Sequence, residues 1–338
     1  MKKHINIPIF IPHLGCPNNC VFCNQRSISG RQSFEPEGVE EQIDEVLSTL
    51  SENTEREIAF FGGSFTGIDR ELMLYLLEIG KKYIDAGKVD GIRLSTRPDY
   101  IDRERLEILS RYGVRAVELG LQSMDNAVLA ASKRGHDAED AERACALVKE
   151  YGFQLVGQMM IGLPASDAEK EIYTARRICE LGADGARVYP TVVFYETELC
   201  AMAQDGIYLP LTQEDAVMRT KNVLDVFDRH CVPCIRVGLC ASENLSDEDE
   251  VLGGANHSAV GELAMGELYF DRICRELDTR GEDFRGKTLT VYAARGAISK
   301  VAGQNKRNKL RLCEKYGFNK IKILEKSEII GYNIILDV

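Results

Sequence analysis

Gly15-Cys16-Pro17-Asn18-Asn19-Cys20-Val21-Phe22-Cys23-Asn24 sets three cysteines in a C-x3-C-x2-C spacing, directly behind the apolar run Ile5 to Leu14. Three thiolates on one short loop can hold three irons of a four-iron cluster, and the missing fourth protein ligand leaves one iron open to an outside molecule. A structural zinc site is the competing reading. It needs four ligands, and no second Cys or Cys/His pair follows Cys23 at finger-like spacing. A disulfide framework fits a long chain with scattered cysteines poorly, and nothing at the N-terminus reads as a signal peptide. The thiols are therefore expected to be reduced and the protein cytoplasmic.

Working outward from the loop, short apolar strands alternate with amphipathic helical stretches, the pattern of parallel β/α units. Strands are expected at Ile5 to Ile11, Glu57 to Phe61, Ile92 to Ser95, Ala116 to Leu121, Gln154 to Ile161 and Ala186 to Val193. Helices are expected at Val39 to Leu50, Arg70 to Ala86, Arg103 to Tyr112, Asp137 to Tyr151 and Ser166 to Leu181. Six parallel strands predict an α/β fold, a partial (β/α)6 TIM-like barrel, with a small C-terminal α+β unit behind it. In such barrels chemistry sits where strands end and loops begin. The glycine-rich and polar punctuation falls there: Gly62-Gly63-Ser64-Phe65-Thr66, Ser95-Thr96-Arg97-Pro98-Asp99, Gln122-Ser123 and Gly162-Leu163-Pro164. Gly62 and Gly63 lack Cβ, so their backbone can approach a ligand, although a plain turn explains a double glycine as well.

The cysteine spacing, with Phe22 before the last cysteine, resembles the signature of the radical S-adenosylmethionine (SAM) superfamily. Within it, Ser95 to Ile101, Val117 to Ser123, Lys133-Arg134-Gly135-His136, Met159 to Pro164 and Arg187 to Thr191 resemble the catalytic subunit of Elongator, which modifies the wobble uridine of transfer RNA using SAM and acetyl-CoA. The resemblance implies that Cys16, Cys20 and Cys23 hold a 4Fe-4S cluster and that Gly62 and Gly63 hold the SAM amino group. It also implies Gln122 near the SAM ribose and Arg134 at its carboxylate, for which a forked guanidinium is suited. Either side chain alternatively caps or bridges the barrel rim. Ser95 stands where related enzymes often carry an acid, and Arg97 with Asp99 can instead form a structural pair. Tyr189 reads as core, and His257 as a loop residue over the barrel mouth. Cys231, Cys234 and Cys240 lie beside an expected strand, Cys234 to Gly238, and read as buried free thiols rather than a second metal site.

Two departures bound the resemblance. The Elongator family has a longer cysteine loop, and it carries a C-terminal acetyltransferase domain for which no room is left after about residue 280 of 338. What stands there, from Leu289 to Val338, reads as β-α-α-β with alternating strands at Lys320 to Leu324 and Ile329 to Leu336. This resembles a KH module, whose G-x-x-G loop clamps single-stranded backbone. Gly303-Gln304-Asn305-Lys306 keeps only the first glycine, and a cap that packs on the barrel is the alternative reading.

The domains are accordingly expected at 1–285 and 286–338. Overall the chain has 42 Lys and Arg against 53 Asp and Glu, a net charge of −11, yet residues 300–326 hold nine basic side chains against Glu314 and Glu325. Lys300, Lys306 and Arg307 are the candidate RNA contacts, against the alternative of a solvated face. No run of eighteen apolar residues predicts a membrane span. The expectation is a radical SAM enzyme acting on RNA, with transfer RNA as partner and a flavodoxin or ferredoxin as reductant. One rival is a small-molecule or tetrapyrrole enzyme of the coproporphyrinogen-oxidase kind; the other is a non-catalytic RNA-binding iron-sulfur protein.

Overall fold

The structure is a computed structural model that describes residues 3–17, 20–24, 34–51, 53–239 and 250–338. Its main sheet is all parallel: β1 (Lys3–Ile11), β2 (Thr54–Gly62), β3 (Gly91–Thr96), β4 (Val114–Gln122), β5 (Gln154–Ile161), β6 (Gly185–Pro190) and, across a short ribbon, β8 (Cys234–Val237). The order is β1-β2-β3-β4-β5-β6-β8, an open half-barrel in which every neighbour pair is parallel. Helices cover its convex face, capped at their N-termini by Asp69, Asp102, Asp125, Asp137 and Asp167 side chains that accept backbone N–H bonds. The βα loops after β2, β3, β4 and β5 are thereby fixed from both sides.

The sheet has seven strands where six are expected. The segment Ala186 to Val193 does not run through, because Pro190 has no N–H to extend the ladder. Thr191 instead donates to Ile161 at 2.8 Å, and the chain leaves as β7 (Val192–Phe194), paired antiparallel with β9 (Val251–Gly254). The vacated edge of β6 is taken by Cys234–Val237.

Registers show why the strands divide into two faces. Ile58, Phe60, Ile92, Leu94, Val117, Leu119, Leu155 and Val188 point to the helices and are fully buried. Their period-two neighbours point into the lumen, and four of those are charged: Glu57, Arg93, Glu118 and Arg187, each at most 9% exposed. Arg93 bridges the two carboxylates, its Nε 2.9 Å from Glu57 and its Nη1 3.1 Å from Glu118. Arg187 completes the row, donating to Glu118 at 3.0 Å and to the Tyr189 hydroxyl at 3.3 Å, and His4 meets Glu57 at 2.8 Å. Such a lattice is tolerable in a low dielectric only because each charge has a partner.

The C-terminal unit has β10 (Thr288–Ala293) at the centre of a three-stranded sheet, parallel to β11 (Lys320–Glu325) and antiparallel to β12 (Ile334–Asp337). The last strand is shorter than the expected Ile329 to Leu336, because the chain first turns through Gly331 at φ +63°. Helices Ile298–Ala302 and Arg307–Tyr316 pack on one face. They share that face with the end of the long helix Val260–Arg280, which contributes Tyr269, Ile273, Cys274 and Leu277 to the same core as Leu289, Val291 and Leu336.

Removing one charge of the barrel lattice isolates the others. Glu118→Gln is expected to cost about 3–5 kcal/mol, read as a lower urea midpoint with an unchanged slope.

Candidate active site at the cysteine loop

The cysteine loop leaves β1 at the carboxyl end of the sheet and is set there by backbone packing. Gly63 N donates to Ile11 O at 2.8 Å and Ser64 N to Leu14 O at 2.9 Å. A Cβ on Gly63 would lie 1.9 Å from Leu14 O, one on Gly62 (φ +114°) 2.7 Å from Ile11 O, and one on Gly15 (φ +74°) 2.2 Å from Ser64 O. The glycines thus admit the loop's own backbone. Room for a ligand is not what demands them here, and whatever the Gly62 and Gly63 carbonyls bind comes in addition to this packing. Behind them, Ser64, Thr66 and Thr96 form a buried hydroxyl chain with contacts of 2.8 and 2.6 Å, joining the loops after β2 and β3.

Arg134 closes the site. Its Nη1 donates to Cys20 Sγ at 3.2 Å and its Nη2 to Gly120 O at 2.7 Å, so one side chain ties the cysteine loop to β4. Its own carbonyl accepts Arg97 Nη2 at 2.5 Å, and Arg97 is held in turn by both Asp99 oxygens, at 2.9 and 2.8 Å. The structural pair between Arg97 and Asp99 is therefore formed. Arg97 is 3% exposed, and its Nη1 has no hydrogen-bond partner among the described residues.

Burial pushes the Cys16 thiol up, while the Arg97 and Arg134 guanidiniums pull it down. His136, buried beside Arg134, is lowered to about 4 by desolvation and then by that cation, so it is neutral at pH 7. Sequence reading passed over His136; its place two residues after Arg134 in a polar turn was the available signal.

The remaining candidates spread along the rim. Gln122 is buried at φ +66° on a bulge of β4 and accepts a 3.5 Å bond from Gln158. Ser95 is half-buried on the lumen face of β3, level with Glu118. Tyr189 faces the lumen, half-buried, instead of lying in the apolar core. His257 is exposed, and its Nδ1 accepts from Ala259 N at 3.0 Å, a local turn at the start of the long helix. Cys234 has its thiol pushed up to about 12 by burial, as expected of a buried thiol, but Cys231 is exposed and Cys240 lies outside the described residues. Asn18 and Asn19 of the loop also lie outside them.

Among the described residues, no three His, Cys, Asp or Glu side chains gather closely enough to hold one metal ion. A four-iron cube asks for something different, since its thiolates bind different irons and stand farther apart than ligands of one ion. The donor set fits such an anionic cluster: three thiols on one loop, with two guanidiniums beside them.

Comparison with known proteins agrees. The model of the radical SAM superfamily matches residues 10–175, and that of the radical SAM C-terminal domain matches residues 183–270. The chain belongs to the radical SAM superfamily and is a radical SAM enzyme. Membership implies a 4Fe-4S cluster and SAM. An uncharacterized protein of Methanocaldococcus jannaschii is 26% identical over 262 residues, covering 74% of this chain and 79% of that one. The tRNA uridine(34) acetyltransferase of the same organism is 27% identical, covering 60% of this chain and 45% of its own length. Elongator complex protein 3 of Homo sapiens is 25% identical over 80% of this chain and 56% of its own. The chain thus spans about half the length of these named relatives. The solved archaeal Methanocaldococcus infernus Elp3 with an N-terminal deletion shares the fold, with a TM-score of 0.62 at 20% identity over 82% of this chain and 64% of that one. No helix among the described residues is long and apolar enough to cross a membrane.

Two outcomes are expected. Gly63→Ala pushes the end of β2 off Leu14 O, so iron retained per chain after anaerobic reconstitution should fall while far-ultraviolet dichroism stays near wild type. His136 is neutral when folded down to about pH 4 but takes a proton near 6.5 when unfolded. The unfolded state therefore binds more protons in that window, and stability falls as pH drops through it. Urea midpoints across the window should show this loss, and His136→Gln should flatten it.

Proposed function

We propose that this chain is an Elongator-like radical SAM enzyme that modifies RNA, with transfer RNA as substrate, in the cytoplasm. The observation that carries the reading is the junction at Arg134, which ties a three-cysteine loop to β4 at the carboxyl rim, beside a polar lumen. Cys16, Cys20 and Cys23 are assigned to the 4Fe-4S cluster. Gly62, Gly63, Ser95, Gln122 and Arg134 are assigned to SAM along the rim. When bound, the cluster and SAM together supply a 5'-deoxyadenosyl radical that abstracts hydrogen from a substrate carbon. A flavodoxin or ferredoxin is the assigned electron source.

The chain's own residues contribute orientation and exclusion. Arg134 and Arg97 place positive charge against the thiol loop, which favours ligands in the thiolate form. The paired charges of the lumen, Glu57, Arg93, Glu118 and Arg187, line the strands below the rim with polar groups. Two sets of names support RNA as substrate, the tRNA uridine(34) acetyltransferases and the Elongator proteins. Their acetyl transfer is not assigned to this chain.

Residues 286–338 are proposed as a KH-like RNA-binding domain. Its loop has Gly303 at φ +72°, with Asn305 and Lys306 left-handed, and the buried Asn308 amide pins it by donating to Gly266 O at 2.8 Å. Lys306 and Arg307 are exposed there, and Lys300 stands 3.8 Å from Glu262. The test is anaerobic reconstitution with iron and sulfide, reduction, addition of SAM, and measurement of 5'-deoxyadenosine with and without bulk transfer RNA. Formation that rises with transfer RNA and disappears in Cys16→Ala, Cys20→Ala and Cys23→Ala is expected. Formation indifferent to RNA would overturn the substrate, and none at all with an intact cluster would overturn the chemistry.

A further inference from the structure

Among the described residues, only one face of the C-terminal sheet is covered. Leu289, Val291, Ala293, Ile321 and Leu336 point to the helices and are buried, whereas the opposite face carries the alternate residues. Registers place these in rows across the three strands. Leu324, Tyr292 and Ile335 form one row, and Lys322, Thr290 and Asp337 the next; Lys320 beside Thr288 comes last. Leu324 and Ile335 are each 46% exposed, and Tyr292 is half-buried between them. Lys326 hangs its ammonium 4.2 Å from the centre of the Tyr292 ring.

Exposed lysines on an edge strand such as β11 ordinarily deter strand pairing. That role does not account for an aromatic on the central strand flanked by two exposed aliphatics. Charge points to the occupant. Residues 288–338 carry ten Lys and Arg against four Asp and Glu, while the rest of the chain carries 32 against 49. Among the described residues, Lys320 and Lys322 make no salt bridge. The acids nearby are largely engaged: Glu325 accepts from Gly296 N at 2.9 Å, Glu328 meets Ser327 at 3.4 Å, and Asp337 alone shares the face. An aromatic ring set among lysines on an open sheet is a stacking platform with a track for phosphates.

We infer that this open sheet face, centred on Tyr292, binds single-stranded RNA. A base stacks on Tyr292 between Leu324 and Ile335, and Lys320, Lys322 and Lys326 meet the adjoining phosphates. Three strands set about 4.8 Å apart give room for two or three nucleotides. The inference rests on the RNA reading above but moves the main contact from the Gly303 loop to the far side of the domain.

The test uses the full chain, a labelled short oligouridylate and bulk transfer RNA, with binding followed by anisotropy from about 50 to about 200 mM salt. Lys320→Glu with Lys322→Glu should weaken binding at least tenfold and shallow the salt slope by about 2. Tyr292→Leu should weaken it about fivefold or more with the slope unchanged. SAM cleavage without RNA should stay at wild-type rate in both, which reports an intact barrel. Wild-type affinity in the sheet variants, with loss in Lys306→Glu plus Arg307→Glu, would overturn the sheet site and leave the RNA reading standing. No binding by the wild-type chain at low salt would overturn both. A concentration-dependent dimer abolished by Tyr292→Leu would assign the face to a second copy and overturn the inference.

Discussion

One guanidinium, that of Arg134, holds the working end of this molecule together. It reaches Cys20 Sγ with one nitrogen and Gly120 O with the other, while its carbonyl is clamped by Arg97. Among its described residues the cysteine loop forms no helix or strand, so their position is imposed from outside. Four ties do this: Arg134, the glycine contacts with β2, Val21 N donating to Ser132 O at 3.3 Å, and Leu199 N donating to Val21 O at 2.8 Å. Arg134 and Ser132 stand on one turn, the glycines at the end of β2 and Leu199 beyond β7, so the loop is held from three parts of the barrel. A loop fixed in this way can hold three thiolates at a constant distance from the rim, which preorganised chemistry requires.

The lumen follows a different rule from the helix-facing side of the same strands. Outside, burial of Ile, Leu, Val and Phe supplies stability in proportion to area. Inside, Glu57, Arg93, Glu118 and Arg187 replace hydrocarbon with a pairwise-neutral lattice, which contributes little net stability but costs heavily if one member is lost. Its value lies in uniqueness. A one-residue slip of β2, β3, β4 or β6 would carry its charge to the apolar side, so the lattice penalises wrong registers of these strands more strongly than apolar side chains would.

The parallel core was legible because its signal is local. Gln154 to Ile161 is found as read, and Arg70, Arg103 and Gly162 open or close their elements where turn and capping residues say they should. The charged lattice was written in the sequence too, as single charges at period two inside apolar runs, but pairing them needs the strand order. Pro190 carried the information that strand six ends early. The seventh strand was legible as a strand, Cys234 to Gly238, but not as a member of the barrel, since it is short and only half-buried and its place against the edge of β6 depends on the chain leaving β6 at Pro190. Gly62 and Gly63 show the same limit, because sequence gives the lack of a side chain but not which backbone fills the space.

The helix Val260–Arg280 fixes how the acidic barrel part and the basic C-terminal part of the chain are joined. At 21 residues it is about 31 Å long. Its first half, through Val260, Ala264 and Leu268, packs with Ala216, Val217 and Leu224 of the helix Gln213–Arg229 beside the barrel. Its second half, through Ile273 and Leu277, forms one wall of the C-terminal core. Arg272 fastens the middle, with both Asp225 and Asp228 at 2.9 Å. A helix shared by two cores cannot swing without opening both, unlike a linker whose reach varies with its composition. The basic surface is therefore held at a set distance from the cysteine loop, and a long polyanion gripped at one end would present a defined segment at the other.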